Sequence, residues 1–152
     1  MPSIFTRIIR GEIPCHKVLE DEKYFAFLEI RPLRPGHTLV VPKKEVDYFF
    51  DLDDLTMAGL LTFCKKVASA VKKAAPCEKV AMVVYGLQVR HAHVHLVPVD
   101  GTPGELDFRN QTDADPTDLA KMAERIRASL SGPSASPSEP HSGFRPGLFG
   151  AP

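Results

Sequence analysis

The sequence predicts an α+β domain: about five antiparallel strands, one long helix packed on the sheet, and a C-terminal helix. Three observations carry this expectation. Short runs rich in aromatic and β-branched residues are bounded by Pro, Gly and acidic residues, the pattern of strands. One span, from Met57 to Ala74, repeats apolar residues at three- and four-residue steps, the period of a helix with one buried face. A second, shorter span of that period begins after an Asp-Pro pair at Asp115 and Pro116.

The elements follow in order. Lys17 to Ile30 reads as two strands around an acidic turn at Asp21 and Glu22, with Tyr24, Phe25 and Phe27 suited to a half-buried pleat. Pro32, Pro35 and Gly36 break the chain, and His37 to Pro42 forms a short strand that Pro42 ends. Asp51, Asp53 and Asp54 open the long helix, and Met57, Leu60, Cys64, Val67, Val71 and Ala74 form its apolar stripe. Lys65, Lys66, Lys72 and Lys73 suit the C-terminal end of the helix dipole and read as a solvated face. Pro76 stops the helix. Lys79–Tyr85 and Val89–Val99 read as two more strands, with Gly86 suited to a tight connection between them. Asp115 is a good N-cap and Pro116 a good first residue for the last helix, whose stripe is Leu119, Met122, Ile126 and Leu130.

Composition narrows the function. The 152 residues include 19 Lys+Arg and 19 Asp+Glu, so the formal net charge is zero. A nucleic-acid binder normally shows a basic excess, so none is expected as a partner. No apolar run approaches the ~20 residues that span a bilayer, so no membrane association is expected. The N-terminus lacks a basic segment followed by an apolar one, so no signal peptide is read. Cys15, Cys64 and Cys77 are odd in number and unpaired in spacing, as expected of reduced thiols in a cytoplasmic protein. Residues 132–152 hold five prolines, four glycines and four serines among 21. That composition buries too little to offset chain entropy, so the expected division is a domain over 1–100, a helical extension over 101–131 and a flexible tail over 132–152.

The informative stretch is His91-Ala-His93-Val-His95. On a strand, alternate side chains share a face, so the three imidazoles would stand in a row roughly 6.5–7 Å apart. Ala92, Val94 and Leu96 would pack on the core behind them. Imidazole titrates nearest neutral pH, so such a row can supply a nucleophile, anion-binding donors and a proton source together. A zinc site built from His91, His93 and His37 is the alternative chemistry.

The pattern resembles the His-x-His-x-His-x-x signature of the histidine triad (HIT) superfamily. Ile4-Phe5, Gly11 to Pro14, Phe27 to Ile30, Pro35 to Lys43 and Asp51 to Asp53 resemble successive blocks of its Hint-like branch in the same order, over roughly residues 3–99. The resemblance implies a homodimer that binds purine nucleotides and needs no cofactor. It implies hydrolysis or transfer of a nucleoside monophosphate from a phosphoramidate or dinucleoside polyphosphate. His93 would be the nucleophile and form a nucleotidyl-histidine intermediate. His91 and His95 would flank it and bind phosphate oxygens or the leaving group, and His37 would support the triad through hydrogen bonding. Ile4, Phe5, Ile8, Phe27 and Ile30 match the apolar lining of the base pocket, although such residues are also ordinary core. Glu29 stands where an aspartate usually binds the ribose hydroxyls.

Departures are specific. Ser3 and Thr6 occupy the place of a Cys-x-x-Cys zinc pair, so no structural zinc is expected. Val80–Gly86 is short and lacks an asparagine that shares ribose binding. Gln88 replaces a smaller residue near the leaving group, where its amide could bond a phosphate. Gly101–Leu130 does not match the usual C-terminus of the family, which often reaches the partner subunit's site. A non-catalytic purine-nucleotide-binding module is therefore the alternative within the family, and a histidine-ligated metallohydrolase the alternative outside it.

Overall fold

The structure, a computed structural model, describes residues 1–130; the tail expected over 132–152 lies outside the described residues. A short helix α1 (Ile4–Ile9) precedes strands β1 (Lys17–Glu20), β2 (Tyr24–Leu28) and β3 (Thr38–Pro42). The long helix α2 (Asp54–Ala74) follows, then β4 (Lys79–Val83), β5 (Val94–Val99) and α3 (Pro116–Leu130). As expected from the sequence, five strands form one antiparallel sheet, and their order is β1-β2-β3-β5-β4.

Strand alternation divides the core into two layers. Tyr24, Ala26 and Leu28 of β2, Val40 of β3 and Val94 and Leu96 of β5 face α2 and α3 in the larger apolar cluster. Phe25 and Phe27 of β2 and Leu39 and Val41 of β3 face the other way, where Phe5 of α1 closes a smaller cluster. β2 and β3 are buried on both faces, so functional groups on the α1 side sit on a rigid floor. α3 is not laid over a finished domain. Leu119, Met122, Ala123 and Ile126 belong to the same cluster as Leu60, Val67 and Val71 of α2.

Local chemistry explains the element ends. Asp53 caps α2 by accepting the Thr56 N–H. Asp115 accepts the Thr117 N–H at the start of α3. Phe63 and Ala70 join the buried stripe of α2, whereas Met57 is only half-buried. The four lysines of the solvated face are exposed. The reading from sequence assigned no element to residues 4–9; there, Ser3 caps α1 by accepting the Thr6 N–H at 3.0 Å.

One boundary corrects the sequence reading in a way that matters for the site. β5 begins at Val94, not Val89, so His91 and His93 precede the strand. The link from β4 therefore spans residues 84–93 and is no tight turn at Gly86. The register pairs Thr38 with Leu96, Leu39 with His95 and Val40 with Val94. Continued, it would set Ala92 opposite Pro42, which has no N–H to give the Ala92 carbonyl and whose own carbonyl is taken by the His91 ring. The Ala92 N–H instead donates to the Val46 carbonyl at 2.7 Å, and the chain swings away from the ladder.

Candidate active site

A cleft of about 220 Å³ opens on the α1 face of the sheet. α1 contributes Ile4, Phe5 and Ile8 to it, residues 13–15 contribute Ile13, Pro14 and Cys15, and β2 with its C-terminal end contributes Phe27, Leu28, Glu29 and Ile30. Leu39, Gln88, Val89, His93 and His95 complete it. All seven residues expected to bind a nucleotide (Ile4, Phe5, Ile8, Phe27, Glu29, Ile30 and Gln88) line this cleft. Phe5 and Phe27 meet edge to face at 5.5 Å, so these two serve both as core and as wall. Ile4 and Ile30 are exposed at the mouth. Among the described residues no Lys or Arg lines the cleft. An anion there would be held by N–H donors, not by cations.

The histidines are fixed by partners that settle where each proton lies. The Leu33 backbone N–H donates to His37 Nδ1 at 3.0 Å, so that nitrogen carries no proton and Nε2 does. His37 Nε2–H then donates to His95 Nδ1 at 2.9 Å, which leaves the His95 proton on Nε2. His93 Nδ1 lies 2.7 Å from the His91 carbonyl, so it must donate, and its Nε2 keeps a free lone pair. Burial lowers the pKa of all three: His37 to about 4, His95 to about 3 with the neighbouring His93 and His37 adding to the effect, and His93 in the same direction despite the carbonyl bond that opposes it. At neutral pH they are uncharged.

His91 is placed differently from the sequence expectation. It is fully buried and does not line the cleft. Its Nε2–H donates to the Pro42 carbonyl at 2.8 Å, and its Nδ1 accepts the Ser3 hydroxyl at 2.7 Å. Both ring nitrogens are thus committed, and a direct bond from His91 to a phosphate oxygen does not fit. The cause is the early departure from the strand, which turns this ring toward α1 and β3. Phe5 packs edge-on against both His91 (5.8 Å) and His93 (4.9 Å).

Glu29 lies at the end of β2, where its carboxylate accepts the Arg31 N–H at 3.1 Å. Desolvation raises its pKa, offset in part by Arg31. Glu29, His37 and His95 form the only group among the described residues whose ligand atoms, all within 4.8 Å, could hold a metal ion. A metal there would have to break the His37–His95 bond. The zinc set considered from sequence, His91 with His93 and His37, is not brought together.

Several site residues gave no signal on their own. Phe108, in a short turn past β5, packs edge-on against His95 at 4.7 Å and stacks with Tyr85 at 6.0 Å. The Gln111 side chain reaches Gln88 at 3.5 Å and the Arg31 carbonyl at 2.9 Å. The residues after 100 thus fold back on the site of their own chain. Ser3 could have been found as the N-cap ahead of an apolar run. Glu45, which accepts from Ser3 and Thr6, could not.

The family model described as HIT domain matches residues 10–102. The adenosine 5′-monophosphoramidase of Schizosaccharomyces pombe is 34% identical over 100 residues, covering 64% of this chain and 74% of that protein. A crystal structure of a HIT-like protein involved in cell-cycle regulation from Bartonella henselae superposes with a TM-score of 0.74 and 33% identity, over 84% of this chain and 95% of that one. A zinc-bound histidine triad protein from Mycobacterium smegmatis superposes with a TM-score of 0.71 and 27% identity, over 84% and 91%. Coverage of 84% cannot be reached without residues past 102. The likeness to these structures therefore extends into the region expected from sequence to depart from the family.

Proposed function

The chain belongs to the HIT domain family, and from that premise we propose that it cleaves a nucleoside 5′-phosphoramidate or dinucleoside polyphosphate at the α-phosphorus. The observation that carries this reading is the His93 ring. Its Nδ1–H is spent on a backbone carbonyl, burial keeps the ring neutral, and it borders a cleft lined by Phe5, Phe27 and aliphatic side chains. That is a nucleophile beside a site for a flat apolar base. The relationship to a phosphoramidase supports the same reaction.

The chemistry follows from the placements. A purine enters between the α1 side chains and Phe27, and the Glu29 carboxylate receives ribose hydroxyls. The His93 Nε2 lone pair attacks phosphorus and forms a P–N bond. The bond from phosphorus to the leaving group breaks, and its electron pair departs with that group, which takes a proton from water. His95 Nε2–H and the Gln88 amide donate to oxygens that gain charge, where fixed donors lower the barrier most. The His91 carbonyl stabilises the cationic ring while the nucleotide is attached. Water then attacks phosphorus, the P–N bond breaks, and a nucleoside monophosphate leaves.

A zinc held at Ser3 and Thr6 does not fit this donor set. Ser3 and Thr6 offer hydroxyls where thiolates would be needed, and the His91 nitrogen facing them already accepts the Ser3 proton. The reading extends to a homodimer. Among the described residues β4 is an edge strand with no partner on its outer side, and apolar side chains beside it are exposed. It also extends to a reducing, cytoplasmic compartment, given that Cys15, Cys64 and Cys77 are all free thiols. Among the described residues no helix is long and apolar enough to cross a membrane.

Intact-mass spectrometry after mixing with adenosine 5′-phosphoramidate tests the reaction. A covalent adenylyl adduct on His93, absent from His93→Ala, is the expected result. Full turnover by His93→Ala would remove the assignment.

A further inference from the structure

Around His91, on the side away from the cleft, a chain of polar groups runs from the surface to the nucleophile. It begins at Glu45, in the loop between β3 and α2. Glu45 Oε1 accepts the Ser3 backbone N–H and the Thr6 hydroxyl, the latter at 2.8 Å. These donors hold the carboxyl down to about 2, the Ser3 N–H contributing most, so Glu45 remains an acceptor throughout the working pH range. The Thr6 N–H donates to Ser3 Oγ at 3.0 Å. Ser3 has a single hydroxyl proton, and two acceptors lie within reach: His91 Nδ1 at 2.7 Å and Thr6 Oγ1 at 3.3 Å. The shorter bond takes it, because the proton on His91 is already committed to the Pro42 carbonyl and Nδ1 can only accept. Every member of the chain then has one role, and among the described residues no buried side-chain N or O is left unpaired.

The last link reaches the reaction. The His91 carbonyl is the acceptor for His93 Nδ1–H. Whatever fixes the His91 ring and backbone also fixes the tautomer and direction of the nucleophile. We propose that Glu45, Ser3 and Thr6 are positioning residues that hold His91, and through its carbonyl His93, by hydrogen bonds alone. This rests on His93 being the nucleophile. None of the three lines the cleft or touches the bound nucleotide as placed above. The cluster also joins α1 to the loop at Glu45. Since Phe5 of α1 walls the base site and touches both rings, base binding and nucleophile placement share one anchor.

The test uses the full chain and reads placement separately from turnover. Long-range proton–nitrogen NMR reports the ring tautomers of His91 and His93 without substrate. In the wild type both should be single tautomers, His91 protonated at Nε2 and His93 at Nδ1. Ser3→Ala should leave His91 protonated at Nε2 by the Pro42 carbonyl and shift the His91 Nδ1 signal as that nitrogen loses its donor. It should lower kcat on adenosine 5′-phosphoramidate by about 10- to 100-fold, the scale on which losing a hydrogen-bond partner behind a functional histidine acts, with a smaller rise in KM through Phe5. Glu45→Ala, at an exposed position that should not threaten folding, should move kcat the same way and less far. Ser3→Thr, which restores a hydroxyl, should recover most of the rate. Wild-type kcat and unchanged histidine signals in both Ser3→Ala and Glu45→Ala would overturn the proposal. If the wild type turned over no nucleotide, the reaction assignment would fall, and the histidine signals would still decide the positioning role.

Discussion

An imidazole nitrogen that faces a carbonyl must carry the proton, and one that faces a backbone N–H must not. That rule settles every histidine of the site: Leu33 N–H sets His37, His37 sets His95, and the carbonyls of Pro42 and His91 set His91 and His93. Burial acts in the same direction by disfavouring charge. The pH consequence has a definite sign. Free histidine titrates near about 6.5, whereas buried His37 and His95 titrate near 4 and 3. Between those values the unfolded chain binds protons that the folded chain does not, so stability rises with pH across that window. It is fully present above about 6.5 and is lost as pH falls toward 4 and 3. The same depression at His93 keeps the proposed nucleophile neutral below its ordinary value. We expect the acid limb of kcat/KM, which reports the free enzyme, below about 6.5, and thermal unfolding temperatures that drop progressively on acidification under that point. An acid limb at or above the ordinary imidazole value would contradict the burial of His93.

At the scale of elements, close approach decides what a glycine is for. Gly59 lies inside α2, where replacement by Ala ordinarily gains about 1 kcal/mol of helix propensity. Here an added Cβ would lie 2.1 Å from the Tyr24 hydroxyl and 2.9 Å from its ring carbon. Tyr24 cannot retreat cheaply: it is buried, bonds the Thr56 carbonyl at 2.8 Å and packs on Phe63. We expect Gly59→Ala to destabilise by about 1–3 kcal/mol, the cost of overpacking, with partial relief from Tyr24→Phe, as measured by urea unfolding. A stabilised Gly59→Ala would show that Tyr24 moves freely. Gly36 is a stricter case, with φ +98° and an added Cβ only 2.8 Å from Ala75 Cβ. α2 and α3 were legible because their periods, Asp caps and flanking prolines are local. The HIT signature was legible as spacing, and the residues proposed to hold the base, which line one cleft, followed from family resemblance. The role of His91 was not legible. Strict alternation places its ring beside His93 and His95, and only the meeting of Ala92 with Val46 and the missing N–H of Pro42 turn it aside. Phe108 was equally hidden, because its contact with His95 joins segments that no period links.

At the scale of the whole molecule, the neutral charge and the exposed surface point to different partners. Charge balance disfavours a polyanion, while a single phosphate can be met by the N–H donors of a cleft that has no cationic lining among the described residues. The surface beside β4 is apolar. Leu87 is 76% exposed and Phe50 68%, and with Tyr48, Val84 and Tyr85 they surround one hollow. Met82 on β4 is exposed as well. Isolated exposed apolar residues are ordinary, but a contiguous group beside a sheet edge marks a contact surface. A second copy is the occupant that the HIT reading favours. Burying such side chains gains roughly 1.5–3 kcal/mol each, and a two-fold contact counts every residue twice. That total can exceed the roughly 4–15 kcal/mol lost to association. The expected outcome is a dimer mass by light scattering for the wild type and a monomer mass for Phe50→Arg combined with Leu87→Arg. The unchanged far-ultraviolet circular dichroism of that variant would show that the fold survives. Both residues lie outside the cleft, so nucleotide binding by the monomer then reports whether one chain holds a complete base site. A monomer mass for the wild type at micromolar concentration would remove the dimer, and a dimeric double variant would move the interface elsewhere.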